Sequence, residues 1–485
     1  MTSGTPPHDE SGRQLGAVAA LAGGEIVARV AAFAATSVLA HRLGPEGFGI
    51  VGFAAAVAGY LALAVNSSLH EVGAREIARA GDRAAEIYWS VAAVRLLLAV
   101  AAFALLSAVA WSLPKPPVTR LVVLLCGLSF FSLAVDPTWV LKGLERPVMA
   151  GVGLVLGQCL YAAGVLVVVR GPADVTWVPV VQFVGEILAA LILCLLVVRP
   201  ARPRFALADG LQVVRSSGYL GLARVFRVVA ITSDVVLLGV LATDRQVGLY
   251  SAAYRLTFLL LSIAASVTAA YLPAYARAIG EREVTRRLLE TSLGTSALVG
   301  APLVAGTVIL ASPLMTFLFG AEYAEGAVAL QLLALSVGVV FLYSGVSNVL
   351  ITWHRSRLLA GIRGIAAVGT VALNVVVIPR WGFVGAAAVT LAGEMLVAVA
   401  GVLSLRQMHL LPSPRTLGVP VVAALCMSAV LGFATRDWPV VAQVAAGAVL
   451  YVSALTALGY APRFVLRDVL TRLRSDGAAG TTGEP

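Results

Sequence analysis

Arg29, Arg95, Arg224, Arg227, Arg255 and Arg363 stand inside or at the edge of long apolar runs, and so do the carboxylates Glu25, Glu186, Asp234 and Glu394. An ionisable side chain near the centre of a bilayer costs about 2.5–3.5 kcal/mol to insert, so it normally faces a partner or a water-filled cavity. Glu25 and Arg29 are four apart and share one helix face. Arg224 and Arg227 are one helical turn apart, with Asp234 about two turns further on. Ion pairs Glu25–Arg29 and Arg227–Asp234 that hold helices in register are one reading of this pattern, and a shared cleft is the other. Arg224 and Arg255 have no opposite charge three or four residues away, which points them to a cavity. Arg95 and Arg363 are close enough to span ends to reach headgroups. Glu186 and Glu394 suit either a protonated packing contact or a transport role. A cavity lined with arginines suits an anion, because guanidinium keeps its charge and binds phosphate oxygens in pairs. The pattern therefore predicts phosphate-bearing cargo and disfavours a hydrophobic cation.

Little else in the chain offers chemistry. The five histidines, His8, His41, His70, His354 and His409, are scattered, with no carboxylate, Ser or Cys at catalytic spacing. Cys126, Cys159, Cys194 and Cys426 lie singly in apolar runs, without a CxxC pair or a nearby His. No catalytic residue, metal site, haem or disulfide framework is expected. Gly151-Val-Gly153-Leu-Val-Leu-Gly157 has GxGxxxG spacing inside an apolar run, which fits close helix packing rather than a dinucleotide loop.

The elements that must position these charges follow from composition. Of 485 residues 59% are hydrophobic and only 12% charged, too few charges for a water-soluble surface. The net charge of +10 is spread through short gaps between apolar runs, the pattern of a polytopic helical membrane protein and not of a nucleic-acid binder. With about 20 residues needed per crossing, fourteen spans can be drawn, near 15–40, 48–69, 87–112, 120–141, 148–169, 177–198, 217–241, 247–272, 288–312, 327–352, 358–378, 383–404, 416–435 and 439–460. The window at 217–241 is the least apolar, so counts of thirteen or twelve stay open. The first run carries Glu25 and Arg29 without a small-residue cleavage site after it, so it reads as a span and not a cleaved signal. The expected class is all-α, with no loop roomy enough for a soluble catalytic domain.

Orientation follows from the 35 Lys and Arg. With the N-terminus inside, six arginines fall within spans, and the outer loops receive Arg42, Lys115, Arg120, Arg170, Arg245, Arg380 and Arg436. The remaining basic residues gather in the inner segments, which predicts both termini in the cytoplasm. The stretch from Glu71 to Glu86 alternates charge at helical spacing and predicts an amphipathic helix on the inner surface.

The chain also resembles itself at an offset of roughly 200 residues. Leu43-Gly-Pro-Glu-Gly-Phe-Gly49 has a counterpart in Leu241-Ala-Thr-Asp-Arg-Gln-Val-Gly248, and Gly185-Glu186 aligns with Gly393-Glu394. Two parallel six-helix halves account for this. The expected organisation is a cytoplasmic tail at 1–14, halves at 15–205 and 206–405, two additional helices at 406–462 and a cytoplasmic tail at 463–485.

Three segments carry a family resemblance: Leu39-Ala-His-Arg-Leu-Gly-Pro-Glu-Gly-Phe-Gly49 through Gly73-Ala-Arg-Glu-Ile-Ala-Arg79, Asp136-Pro-Thr-Trp-Val-Leu-Lys-Gly-Leu-Glu-Arg146, and Val247-Gly-Leu-Tyr-Ser-Ala-Ala-Tyr-Arg255 with Leu272-Pro-Ala-Tyr-Ala-Arg277. Over about residues 15–405 the chain resembles the polysaccharide biosynthesis flippases, the Wzx-type O-antigen and exopolysaccharide transporters. These belong to the multidrug, oligosaccharidyl-lipid and polysaccharide exporter superfamily. The resemblance implies two six-helix bundles in a V, alternating access, and location in the bacterial plasma membrane. It implies an undecaprenyl-pyrophosphate-linked oligosaccharide as cargo, with glycosyltransferases and a polymerase of the same pathway as partners. The cationic cavity would be carried by Arg29, Arg224, Arg255 and Arg227. Lys142 stands where the family often has Gln.

No cofactor is expected. Proton or sodium coupling through Glu25, Asp234, Glu186 or Glu394 fits the resemblance. A cation-coupled drug antiporter and a peptidoglycan-precursor flippase of the same superfamily are the alternatives. A membrane-embedded polymerase would need a large external loop with catalytic residues, and none is present.

Overall fold

Apolar runs of membrane length must satisfy their backbone internally, and helices do so within a single segment. In the computed structural model the described residues are 7–66, 69–80, 84–197, 232–411, 413, 415–435 and 437–459, with side chains from Ala28 onward. They are helical, with no strand among them.

In chain order the helices are α1 (Pro7–Asn66), α2 (Leu69–Ala80), α3 (Ala84–Ser112), α4 (Pro117–Cys126), α5 (Ser129–Val135), α6 (Thr138–Gly143), α7 (Pro147–Val168) and α8 (Trp177–Val197). Then come α9 (Thr232–Leu241), α10 (Asp244–Arg277), α11 (Arg282–Ile309), α12 (Ala311–Phe319), α13 (Ala327–Thr352), α14 (Ser356–Gln407), α15 (Arg415–Ala434) and α16 (Val440–Ala457). Eleven stretches among the described residues are long and apolar enough to cross a membrane. Two of these join a pair of the expected spans: α1 turns at Gly44 (φ 67°) and α14 at Gly382 (φ 55°). Both angles lie in the region that a Cβ disfavours. The window at 217–241 falls mostly outside the described residues, and α9 is its described end. With those three additions the expected fourteen is consistent with what is seen.

The fourth expected span, 120–141, is one membrane-length stretch, Pro117–Gly143, built from α4, α5 and α6 with breaks between them. Pro137 forces the second break. The residue before a proline is pushed to extended backbone, and Asp136 sits at φ −61°, ψ 117°. Its carboxylate then accepts from the first amide of the next helix, that of Thr138, at 3.1 Å and from the Thr138 hydroxyl at 2.6 Å.

The chain forms two compact units. The first holds residues up to Ala252 together with Leu318–Tyr323 and Val371–Ala386. There α7 lies against α8 through the small residues of the GxGxxxG run, Gly153 meeting Leu193 and Gly157 meeting Ala189, as expected where helices associate by close packing in lipid. The second unit holds Ala253–Phe317, Ala324–Thr370 and the chain from Ala387 on. Its core gathers Tyr275, Leu289, Tyr343, Val349, Val397 and Leu405. On another flank Met427, Leu431 and Tyr451 of α15 and α16 cluster beside Leu298 of α11, and the Tyr451 hydroxyl donates to the Leu298 carbonyl at 2.9 Å. Side chains such as Leu195, Phe433, Val368 and Val449 are well exposed, a liability in water and the normal state of a lipid-facing surface.

Candidate functional site

Among the expected carboxylates whose side chains are described, Asp234 is the most enclosed, at 4% exposure. It lies on α9 in the first unit and accepts from the Tyr250 hydroxyl of α10 at 2.9 Å and the Asn374 amide of α14 at 2.8 Å. Tyr250 and Asn374 are themselves fully buried. An ionisable group enclosed within membrane-length helices is one that the fold has had to accommodate at a cost. Arg224 and Arg227 lie outside the described residues. The side chain of Glu25 does too, although its backbone is in α1.

Glu186 and Glu394, aligned by the sequence repeat, are bonded alike. Glu186 of α8 accepts from the Ser132 hydroxyl of α5 at 2.6 Å and from the Gln182 amide one turn back at 2.9 Å. Glu394 of α14 accepts from the Tyr343 hydroxyl of α13 at 2.7 Å. Each carboxylate thus takes a proton donor from the fourth span of its own sequence half. Both are half-buried. Arg363 lies 5.7 Å from the Tyr343 ring centroid, within cation–π range.

The arginines divide. Arg29 on α1 and Arg255 on α10 are exposed, each on its own unit. Arg255 makes no ion pair or hydrogen bond among the described residues, which leaves its guanidinium available to a ligand. Arg95 overturns its expected placement. Its side chain does not reach headgroups but is 1% exposed inside the first unit. Its Nε faces the Val65 carbonyl at 3.4 Å and Nη2 faces Asn66 Oδ1 at 3.5 Å, while Nη1 has no partner. The last carbonyls of α1 have no N–H of their own helix to accept from, and the buried cation supplies a donor to one of them, that of Val65. Asp136 adds its negative charge to the same surroundings.

A third cluster was not legible as a site. The two sequence-equivalent joints meet inside the first unit, where Gly49 lies against the Asp244 carbonyl and Gly248 against the Pro45 carbonyl. The contact is reciprocal and leaves no room for a Cβ on either glycine. Beside it Lys115 forms a 2.6 Å ion pair with Asp244, the two side chains being 10% and 17% exposed, and lies over the Phe53 ring at 5.6 Å. Phe33, Phe48, Phe319 and Tyr323 pack edge to face or tilted on one another. The Ser37 hydroxyl donates to the Leu318 carbonyl and Tyr323 to that of Ala40. The repeat announced the two joints, but only the fold shows that they touch.

Among the described residues no group of three His, Cys, Asp or Glu could hold a metal ion. What the arrangement offers is buried or half-buried carboxylates and exposed guanidinium groups along membrane-length helices. The family model described as polysaccharide biosynthesis protein matches residues 16–279, more than half of the chain. The chain belongs to that family.

This polysaccharide biosynthesis protein is 23% identical over 310 residues to the "Putative O-antigen transporter" of Escherichia coli K12, an alignment covering 61% of the chain and 73% of that relative. Its fold is that of a lipid II flippase, MurJ, in an inward closed conformation, with a TM-score of 0.72 at 13% identity, covering 93% of this chain and 99% of that one. An inward-facing multidrug resistance transporter of the MATE family has the same fold at a TM-score of 0.63 and 18% identity, covering 79% and 94%. Fold alone therefore does not name a cargo. The family identifies a multi-pass membrane transporter of polysaccharide biosynthesis.

Proposed function

We propose that this family member is a flippase that carries a polyprenyl-diphosphate-linked oligosaccharide from the cytoplasmic to the outer leaflet of the bacterial plasma membrane, with both termini cytoplasmic. The observation that carries the reading is Arg255, a guanidinium about three turns into an apolar helix, exposed and uncommitted among the described residues. A diphosphate is the ligand that such a group binds best, and Arg29 adds a second exposed cation. Arg224 and Arg227 are assigned the same role from sequence. The sugar-diphosphate leaves water against Arg255 while the polyprenyl tail stays in lipid. Glycosyltransferases of the pathway supply the lipid-linked unit and a polymerase consumes it.

Alternating access is part of this proposal, and the joint where Gly49 and Gly248 meet beside the Lys115–Asp244 ion pair is the contact proposed to part. Asp234, Glu186 and Glu394, with Glu25, are the groups proposed to couple the motion to protons or sodium. Moving one charge across the membrane is worth about 2.3 kcal/mol per 100 mV.

Two experiments test this. Proteoliposomes holding the full chain should move a polyprenyl-diphosphate oligosaccharide to the opposite leaflet faster than empty liposomes and fail to move the uncharged polyprenyl analogue. Transport of an organic cation without movement of the glycan lipid would favour the drug-antiporter reading instead. In a background lacking Cys126, Cys159, Cys194 and Cys426, joining Lys115→Cys to Asp244→Cys should stop transport, and reduction should restore it. Undiminished transport by the cross-linked protein would remove this joint from the cycle.

A further inference from the structure

One core cluster of the second unit gathers the ends of four helices. Tyr275 of α10, Leu289 of α11, Leu350 of α13 and Leu405 of α14 are buried together with Met408 and Leu410. Leu359, in the first turn of α14, packs against them. The turns that leave this cluster, 278–281, 353–355 and 408–414, therefore lie at one end of the unit's spans. The Ser413 amide donates to Glu290 of α11 at 3.0 Å, which ties the last turn to the helix that follows the first. Trp353 packs partly buried on the same cluster, the habit of an indole at headgroup level.

Charge at this end does not balance. Around the first turn, 277–290 holds Arg277, Arg282, Arg286 and Arg287 with Glu281, Glu283 and Glu290. The second turn adds Arg355 and Arg357, and the third adds Arg406 and Arg415, with no carboxylate in 353–358 or 404–417. Eight arginines stand against three glutamates, and two of those glutamates are already engaged. Glu283 pairs with Arg286 at 3.1 Å and Arg287 at 3.0 Å, and Glu290 lies 3.7 Å from Arg286. Arg277, Arg282, Arg355, Arg357 and Arg406 are exposed and form no ion pair among the described residues. The chain beyond Gly459 brings no net negative charge to set against them, with four arginines and three acidic side chains. In the first unit the polar stretches at 69–86 and 142–146 differ: five basic side chains are matched there by five acidic ones. The unmatched arginines are a property of these turns of the second unit and not of every turn in the chain.

We propose that this end of the second unit is a docking surface for anionic phospholipid headgroups of the leaflet it meets. Basic side chains clustered where membrane spans end attract anionic lipid, and the attraction weakens with salt. The occupant is a bilayer lipid because the cations stand at helix ends, the depth of lipid phosphates. It is not the transported glycan lipid, because exposed side chains on three separate turns make a field for several headgroups and not an enclosed site for one. The proposal goes beyond the flipping reaction and does not depend on it, since binding is measured without transport.

The test is native mass spectrometry of the full chain released from nanodiscs of equal phosphatidylglycerol and phosphatidylcholine. The wild type should retain phosphatidylglycerol preferentially, and less so as salt is raised. The variant R282Q/R355Q/R357Q/R406Q should lower that preference about fivefold or more, and R75Q/R79Q/K142Q/R146Q in the balanced stretches should keep it. Should the first variant fail to fold, R355Q/R357Q and R282Q separately should each show a partial loss. Equal retention of the two lipids by the wild type would overturn the proposal, and so would an undiminished preference in the folded variants. Displacement of the lipid by micromolar inorganic pyrophosphate would overturn it in favour of a small-anion site, and displacement by a micromolar glutamate-rich peptide in favour of a protein-binding face.

Discussion

Arg95 and Arg255 occupy matching local positions, each about three turns into a membrane-length helix, yet their surroundings assign them opposite work. Arg95 is enclosed, and its donors are turned to the carbonyl and side chain that end α1. Arg255 is exposed and uncommitted among the described residues. A cation whose donors face the protein's own acceptors stabilises the fold, whereas one without partners is available to cargo. Residue type and spacing do not distinguish the two cases. Access to an acceptor elsewhere in the fold does.

The largest expected effect comes from breaking the enclosed member. Arg95→Ala strips donors from the end of α1 and leaves Asp136 without its neighbouring cation. The expected loss is about 3 kcal/mol, read as a thermal unfolding midpoint several degrees lower in detergent, while Arg255→Ala stays within about 0.5 kcal/mol of wild type. An equal fall in both variants would erase the distinction.

The converse applies to transport. A hydrogen bond to a charged group contributes about 1.5–3 kcal/mol, so Arg255→Ala should slow flipping about tenfold or more without changing stability. Arg255→Lys should recover part of the rate, since a lysine keeps the charge but not the paired donors.

Carboxylates sharpen the same contrast at smaller scale. Tyr343→Phe removes one donor from Glu394, and Ser132→Ala removes the equivalent donor from Glu186. Each should cost about 1 kcal/mol of stability. Glu394→Gln and Glu186→Gln should both flatten the response of transport to an imposed pH gradient if the two sites couple alike. A response lost in one variant only would show that the neighbouring Arg363 or Gln182 sets them apart. Smallest of all is Arg286→Gln, which breaks exposed ion pairs with Glu283 and Glu290 and should shift stability by less than about 0.5 kcal/mol.

Much of the architecture was legible because a membrane span is a statement about composition over about 20 residues, and the described helices lie where those runs lie. Glu186 and Glu394 align in sequence, and each accepts a hydrogen bond from a hydroxyl on another helix. The break at Asp136-Pro137 was written in the proline but hidden by the apolar residues around it. Long-range partners were not legible. Nothing near Asp234 in sequence names Asn374, nor does Lys115 name Asp244, because those pairings are made by helices folding back over more than a hundred residues. Arg95 was misplaced for the same reason. Its distance from a span end was readable, but the end of α1 waiting beside it was not.

The most direct test of the account is translocation of a polyprenyl-diphosphate oligosaccharide in proteoliposomes by wild type, Arg255→Ala and a conservative Arg95→Lys, each first shown to be folded. The account predicts a rate about tenfold or more below wild type for Arg255→Ala and a rate near wild type for Arg95→Lys. Wild-type flipping by Arg255→Ala would contradict it.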